Sequence, residues 1–140
     1  MVDIVASGEA VKTWQELQEL VRALVPKESQ SVPKIQWLAS GRLVLIGPWQ
    51  VEAHFAENGG KYEIRFQRFG GDLTRANYEP TPGGRIKDPD VWKLEPVRGT
   101  TRIFWRLSNF ADLTPETLAN RVVERLKTYY EEYKVVAIGD

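Results

Sequence analysis

The amino-acid sequence predicts an α+β fold: an antiparallel sheet of about five to seven strands, with an N-terminal and a C-terminal helix packed on one face. Three observations support this prediction. An apolar stripe of helical period lies towards each end of the 140-residue chain, the segments between them alternate apolar and polar residues, and turn sequences separate those segments. No linker or repeat divides the chain, so we expect residues 1–140 to form a single domain.

The first helix is predicted to begin at Thr13, in the sequence TWQE. Thr13 is placed to cap the first turn while Glu16 reaches back to it, which is the capping-box pattern. Pro26 ends the helix, because the residue before a proline is disfavoured in the α conformation. The apolar face comprises Trp14, Leu17, Leu20, Val21, Leu24 and Val25. This face spans only about two heptads, so we expect it to pack in the core rather than form a coiled coil.

The middle of the chain is predicted to form consecutive strands. IQWLASGRLVLIG is typical of two short strands joined at residues 40–41, and the following GP marks a turn or a bend. WQVEAHF and KYEIRFQRF alternate cleanly around ENGG, whose Asn and Gly residues tolerate the positive φ of a hairpin turn. VWKLEPV and TRIFWRL are predicted to form a second hairpin around RGT, with Thr101 and Arg102 already in its second strand. Pro96 in this hairpin suits an edge strand or a strand end.

The second helix is predicted from the sequence LTPE, with Thr114 as its cap and Pro115 as its first residue. Its buried face is predicted to comprise Leu118, Ala119, Val122, Val123, Leu126, Tyr129, Tyr130 and Tyr133. Its solvent-exposed face is predicted to comprise Arg121, Glu124, Arg125 and Glu132. We expect the tail VVAIG to add a short strand, beside VDIVA from the other terminus.

Composition narrows the classes of function. The absence of cysteine excludes disulfides, zinc–thiolate sites and cysteine nucleophiles. No apolar stretch approaches the roughly 20 residues of a membrane helix and no signal peptide is evident, so we expect a soluble cytoplasmic protein without membrane contact. The 19 basic and 19 acidic residues balance over the whole chain, although residues 61–106 contain ten basic and six acidic residues.

Candidate catalytic and metal-binding groups are sparse. His54, the single histidine, shares a strand face with Glu52, which is placed to orient it as a general base. A lone histidine on a polar sheet face is more commonly just solvated, and no nucleophile motif accompanies it, so we expect no enzymatic activity. Four carboxylates lie in or beside a long loop: Asp72, Glu79, Asp88 and Asp90. Their spacing fits no calcium-loop template, and we predict no metal and no cofactor.

That loop, GGDLTRANYEPTPGGRIKDPD at residues 70–90, has no helical or strand period. So long a connection in a compact domain is usually functional or disordered. We interpret it as a recognition element that acts together with arginines on the exposed sheet face. The predicted partner-binding residues are Arg65, Arg68, Arg75, Tyr78, Arg85, Lys87, Arg102, Phe104 and Arg106.

Arginine and exposed aromatic residues are enriched in protein–protein hot spots. We therefore expect a small non-enzymatic binding or adaptor module that recognises another protein, as a monomer or a homodimer. One alternative is a single-stranded nucleic-acid-binding protein that uses the same surface. A second is a carrier of a small apolar ligand, with a pocket between sheet and helices lined by Trp37, Trp49, Phe55, Phe66 and Trp105. A plain mixed-charge surface, with Glu52, Glu63 and Glu95 pairing with arginines, requires none of these functions.

Overall fold

A computed structural model describes residues 7–25, 34–39, 41–46, 50–68, 90–107 and 112–138, apart from the side chains of Ser7, Arg68 and residues 133–138. Within these ranges the chain forms two helices and seven strands, which confirms the predicted α+β class. The elements in chain order are α1 (Ser7–Leu24), β1 (Lys34–Leu38), β2 (Arg42–Ile46), β3 (Gln50–Asn58), β4 (Lys61–Arg68), β5 (Asp90–Arg98), β6 (Ile103–Leu107), β7 (Asp112–Leu113) and α2 (Pro115–Ile138).

The seven strands form one antiparallel sheet in which spatial order follows chain order. Each strand pairs with the next, from β1 to β7. The two helices contact each other, and α2 also contacts β2, β3 and β6. Buried side chains of both helices and of alternate strand positions form one apolar cluster. The sheet therefore has an inner face, which the helices cover, and an outer face on the opposite side.

Helix α1 begins at Ser7, six residues before the predicted cap. Thr13 lies inside the helix with 8% of its surface exposed, so the predicted capping box with Glu16 is wrong. Ala10 is buried one turn before Trp14, and this earlier apolar contact continues the helical stripe towards the N-terminus. Tertiary packing thus outweighs the local capping signal. At the other end Leu24, predicted to be buried, is 40% exposed.

The β3–β4 hairpin confirms the strand alternation. Its turn consists of Gly59 and Gly60, with φ of +58° and +83°, between the paired residues Asn58 and Lys61. Two successive positive φ angles are typical of the two-residue turns that match the twist of antiparallel strands. The predicted inner residues of β4 are all buried: Tyr62, Ile64 and Phe66.

The β5–β6 hairpin has a longer turn than predicted. Strand β6 begins at Ile103, so Thr101 and Arg102 lie in the turn rather than in the strand. The amide of Gly99 donates a hydrogen bond to the carbonyl of Arg102 over 2.7 Å and closes this turn. Pro96 pairs with β6, whereas pairing of β5 with β4 ends at Leu94. Proline has no backbone N–H to donate. At position 96, β5 has no described partner on its β4 side.

Helix α2 begins as predicted and ends later. The amide of Thr117 donates a hydrogen bond of 3.1 Å to Oγ1 of Thr114, which confirms the cap. The helix continues to Ile138, so the predicted C-terminal strand is wrong, and its proposed neighbour VDIVA lies outside the described residues. Once a helix has formed, each further residue adds one backbone hydrogen bond, and VVA contains no residue that breaks it. The two-residue strand β7 is too short to produce a periodic signal.

Aromatic rings fill the space between the helices and the sheet. The ring of Trp14 lies 5.1–5.5 Å, between centroids, from those of Phe55, Tyr62 and Trp105. A second group joins Phe66 to Trp92 at 4.9 Å and to Tyr129 at 6.2 Å. These tilted and edge-to-face contacts are the usual arrangement in packed cores. Of the residues proposed to line an apolar pocket, Phe55, Phe66 and Trp105 thus serve as core, and Trp49 lies outside the described residues.

Candidate functional site

The structure separates the predicted partner-binding residues into distinct places. Arg65 in β4 and the pair Phe104 and Arg106 in β6 lie on the outer face of the sheet. Arg102 lies in the β5–β6 turn, and its guanidinium contacts Glu116 in the first turn of α2. The prediction that Arg102 projects from the sheet face is therefore wrong, because the strand begins one residue later. The remaining candidates lie outside the described residues or side chains: Arg68, Arg75, Tyr78, Arg85 and Lys87.

The outer-face arginines contact carboxylates of the same chain. Nη2 of Arg65 donates to Oε2 of Glu63 over 3.1 Å. Arg106 is paired with Glu95 of β5 on one side and with Asp112 of β7 on the other. Its Nε donates to Oδ1 of Asp112 over 2.8 Å. The outer face therefore presents a mixed-charge surface, not a row of unpaired cations.

A buried carboxylate interrupts this outer face. Glu52 is only 2% exposed, and its Oε2 accepts a hydrogen bond of 2.6 Å from Nε2 of Gln67. Its Oε1 lies 3.7 Å from Nε of Arg42, and within the described structure neither of these two atoms has a hydrogen-bond partner. Val44, which is directly opposite Glu52 in β2, is fully buried. Strand alternation predicted the face on which Glu52 lies but not its burial.

His54 lies between two arginines rather than in a catalytic dyad. It is directly opposite Arg42 in β2 and Arg65 in β4. Burial lowers the pKa of His54, the Glu52 carboxylate opposes this effect, and the two guanidinium groups add to it. No hydrogen bond joins Glu52 to His54 among the described side chains. The arrangement does not orient the imidazole as a general base.

A groove lies on the helix side, where α1 meets the β5–β6 turn and the start of α2. It consists of two adjoining cavities of about 430 and 580 Å³, which share Lys12, Glu16, Arg102 and Pro115. The first is further lined by Glu9, Thr13, Arg98, Gly99, Thr100, Thr101 and Ile103, and the second by Gln15, Glu19, Leu20 and Glu116. We call this feature the α1 groove. Cavities of this size are typical of ligand and peptide sites.

Two ion pairs attach the β5–β6 turn to the helices around this groove. Arg98 contacts Glu9 of α1, and Nη2 of Arg102 donates to both carboxylate oxygens of Glu116, each over 2.9 Å. Hydrogen bonding from Arg102 holds the pKa of Glu116 below its usual value. All four side chains are substantially exposed, so these contacts orient the turn more than they stabilise the fold.

Gly99 is required for the shape of the turn. A Cβ atom at this position would lie 2.8 Å from the carbonyl oxygen of Arg102 and closer still to the ring of Phe104. The ring therefore packs directly on the glycine backbone. Any larger residue at position 99 would displace the wall of the groove.

The α1 groove also presents charges that have no ion-pair partner in the described structure. Lys12 and Glu16 lie one helical turn apart on α1, and neither forms an ion pair with a described residue. Glu19 forms one ion pair with a described residue, a contact of 3.9 Å with Arg22. The half-buried Leu20 supplies apolar surface beside these charges, and the buried Pro115 lies behind the wall of both cavities. The groove thus combines an apolar contact with polar groups available to a ligand.

A second charged cluster has a structural role that the sequence did not reveal. Arg125, predicted to be solvated, has a side chain only 22% exposed. Its Nε and Nη2 lie 3.1 and 3.0 Å from Oδ2 of Asp90, its Nη1 lies 3.3 Å from Oε1 of Glu132, and its guanidinium carbon lies 5.5 Å from the centre of the Tyr129 ring. Asp90, considered above among possible cation ligands, thus binds a guanidinium and attaches the start of β5 to α2.

In comparisons with known proteins, no protein-family model, no curated protein and no solved structure matches the chain. Neither of the two described helices is long and apolar enough to cross a membrane. The case for a function therefore depends on the geometry of the described surfaces.

Proposed function

We propose that the chain is a non-enzymatic protein-binding module and that the α1 groove is its main contact surface. The groove itself is the observation that carries the proposal: it places Lys12 and Glu16, which form no ion pair with a described residue, beside the half-buried apolar side chain of Leu20. An apolar centre with a polar rim is the usual composition of a protein interface. The expected contribution of residues 70–90 to recognition stays a prediction.

The arginine environments support a protein partner over a nucleic acid. Arg65, Arg102 and Arg106 each donate to a carboxylate at 2.8–3.1 Å. A phosphate group would have to replace those carboxylates and would meet their negative charge. The balanced charge of the whole chain also provides no long-range attraction to a polyanion.

Site-specific photo-crosslinking tests the proposal. Benzoylphenylalanine in place of Gln15, on the exposed rim of the groove, should yield a discrete protein adduct when irradiated in the native cell. The matched control carries the same group in place of Arg121, which is exposed on α2 outside the groove. Equal adducts at both positions, or none at position 15, would contradict the proposal.

Nucleic-acid binding provides the opposing test. Fluorescence anisotropy with short single- and double-stranded DNA and RNA should show no binding at either low or near-physiological salt. Affinity that falls steeply as salt rises, and that is weakened by combined Arg102→Ala and Arg106→Ala substitutions, would replace the protein-binding proposal with the nucleic-acid one.

A further inference from the structure

We infer that the α1 groove binds a segment of another protein in which an apolar side chain lies next to a lysine or an arginine. This inference rests on the proposed function and specifies the chemistry of the partner. It follows from the order of charges along α1, from the position of the apolar surface and from the ion pair at the opposite wall.

The charges along the groove have a fixed order. Lys12, Glu16 and Glu19 follow one another at intervals of four and three residues, about 6 and 4.5 Å along the helix axis. Glu16 and Glu19 are neighbours on the helix surface, where like charges repel and slightly destabilise the helix. A cation placed between them would contact two carboxylates and remove that repulsion.

The chain itself neutralises this acidic pair only weakly. Among the described residues, the acidic pair forms one ion pair, between Glu19 and Arg22 over 3.9 Å, and these two side chains are 72% and 64% exposed. An ion pair so long and so exposed contributes little. At the opposite wall Glu116 already holds Arg102, so that guanidinium is not available to Glu16 or Glu19. Three carboxylates and two cations line the 580 Å³ cavity. Because the negative charges outnumber the positive ones, the cavity favours a basic occupant.

The apolar contact lies next to the acidic pair. Leu20 directly follows Glu19 in α1, and Pro115 forms part of both cavities. A segment that places an aliphatic side chain on the half-buried Leu20 would direct its neighbouring basic side chain to Glu16 and Glu19. Lys12 lies at the far end and would donate to an acidic side chain or a backbone carbonyl of the segment, which gives the segment one preferred direction.

Two synthetic peptides test this inference on the full chain. One is a capped Ala/Gly peptide with Lys-Leu-Lys at its centre, and the other has Glu-Leu-Glu instead. Titrated into ¹⁵N-labelled protein, the basic peptide should shift amide signals of residues 12–20 and 99–103 and of Glu116. The acidic peptide should bind about tenfold more weakly, the effect expected of a few weak ion pairs.

Charge reversal gives the matched variants. Combined Glu16→Lys and Glu19→Lys substitutions should abolish binding of the basic peptide, whereas Glu124→Lys, on an exposed position of α2, should leave it unchanged. Equal affinity for both peptides, shifts confined to the outer sheet face, or no shifts up to about 1 mM peptide would overturn the inference.

The crosslinking experiment separates failure of this inference from failure of the proposed function. If the adduct at position 15 persists in the Glu16→Lys, Glu19→Lys variant, the chain binds a protein but not through this charge pattern. If the adduct and the peptide shifts are both absent, the two proposals fail together. An adduct with a second copy of the chain would overturn the inference in favour of self-association.

Discussion

The two faces of β4 place adjacent residues in different environments. Ile64 and Phe66 point inwards and are fully buried in the apolar cluster that contains both helices. Arg65 and Gln67 point outwards and make polar contacts, Arg65 with the partly exposed Glu63 and Gln67 with the buried Glu52. On the inner face, stability should therefore depend on the volume of the buried side chains. On the outer face, it should depend on whether each buried polar atom keeps its hydrogen-bond partner. Substitutions of Phe66, Gln67 and Arg65 test this difference in β4 itself.

The largest effect is expected from Phe66→Ala. The substitution removes a fully buried ring that contacts Trp92 and Tyr129, and it leaves a cavity between the sheet and α2. We expect the free energy of unfolding to fall by about 3–5 kcal/mol, measured by urea denaturation. Phe66→Leu, which retains most of the volume, is the control and should cost less. A loss below about 1 kcal/mol for the alanine variant would show that the inner face is loosely packed.

Gln67→Ala should have the next largest effect. The substitution removes the 2.6 Å hydrogen bond to Glu52, whose other oxygen already has no hydrogen-bond partner in the described structure. Leaving a buried polar group unsatisfied costs about 1–3 kcal/mol. Gln50→Ala, at an exposed position in β3, is the matched control and should change stability by less than about 0.5 kcal/mol. Equal effects at the two positions would mean that the buried carboxylate does not depend on Gln67.

Arg65→Ala should have a small effect. Its ion pair with Glu63 joins two partly exposed side chains, and such pairs contribute about 0.2–1 kcal/mol. A double-mutant cycle with Glu63→Ala, measured at low and at high salt, isolates the interaction. The coupling energy should decrease as salt screens the two charges. A coupling that is both larger and insensitive to salt would place this pair in a more buried environment than the structure indicates.

His54→Asn should change the pH dependence of stability more than stability at neutral pH. Because burial lowers the pKa of His54 below 6.5, the unfolded chain binds a proton at a higher pH than the folded chain. The stabilisation is therefore present above pH 6.5 and is lost as the pH falls towards the lower folded value. The wild type should lose stability between pH 7 and pH 5 more steeply than the variant. Parallel curves would contradict the lowered pKa.

The elements with strong local signals are those that the sequence predicted well. Thr114 and Pro115 define the start of α2, and two glycines define the β3–β4 turn, because each feature depends on neighbours in the chain. The start of α1 was missed because Ala10 gains its burial from tertiary contacts and not from a local cap. The contacts of Arg125 with Asp90 join residues 35 positions apart, which no periodicity reveals.

The candidate site was less predictable for the same reason. Lys12, Glu16 and Glu19 could be recognised in the sequence as the polar side of a helix, as the 3.6-residue period requires. The wall opposite them comes from a turn more than 75 residues later. Phe104 packs on Gly99 in that turn, and β6 begins two residues later than predicted, which places Arg102 in the groove rather than on the sheet face.

The smallest effect on stability, and the most local test of the groove, is expected from Arg102→Ala. The side chain of Glu116 is about half exposed, and the hydrogen bond from Arg102 is the main reason that its pKa lies below the ordinary value of 4.5. Removing the guanidinium should raise the pKa of Glu116 towards that value, as measured by ¹³C NMR titration of its carboxyl group. Lys127→Ala, which alters an exposed cation on the same helix, should leave it unchanged.

The sign of the stability change follows from the same pKa. A carboxylate whose folded pKa is lowered stabilises the fold above its ordinary pKa, and this contribution is lost as the pH falls through the folded value. Any difference in stability between the wild type and Arg102→Ala should therefore be present at pH 7 and should disappear in acid. If the pKa of Glu116 is the same in both proteins, the turn is not attached to α2 in solution. The wall of the α1 groove would then be mobile, and a partner would have to order it on binding.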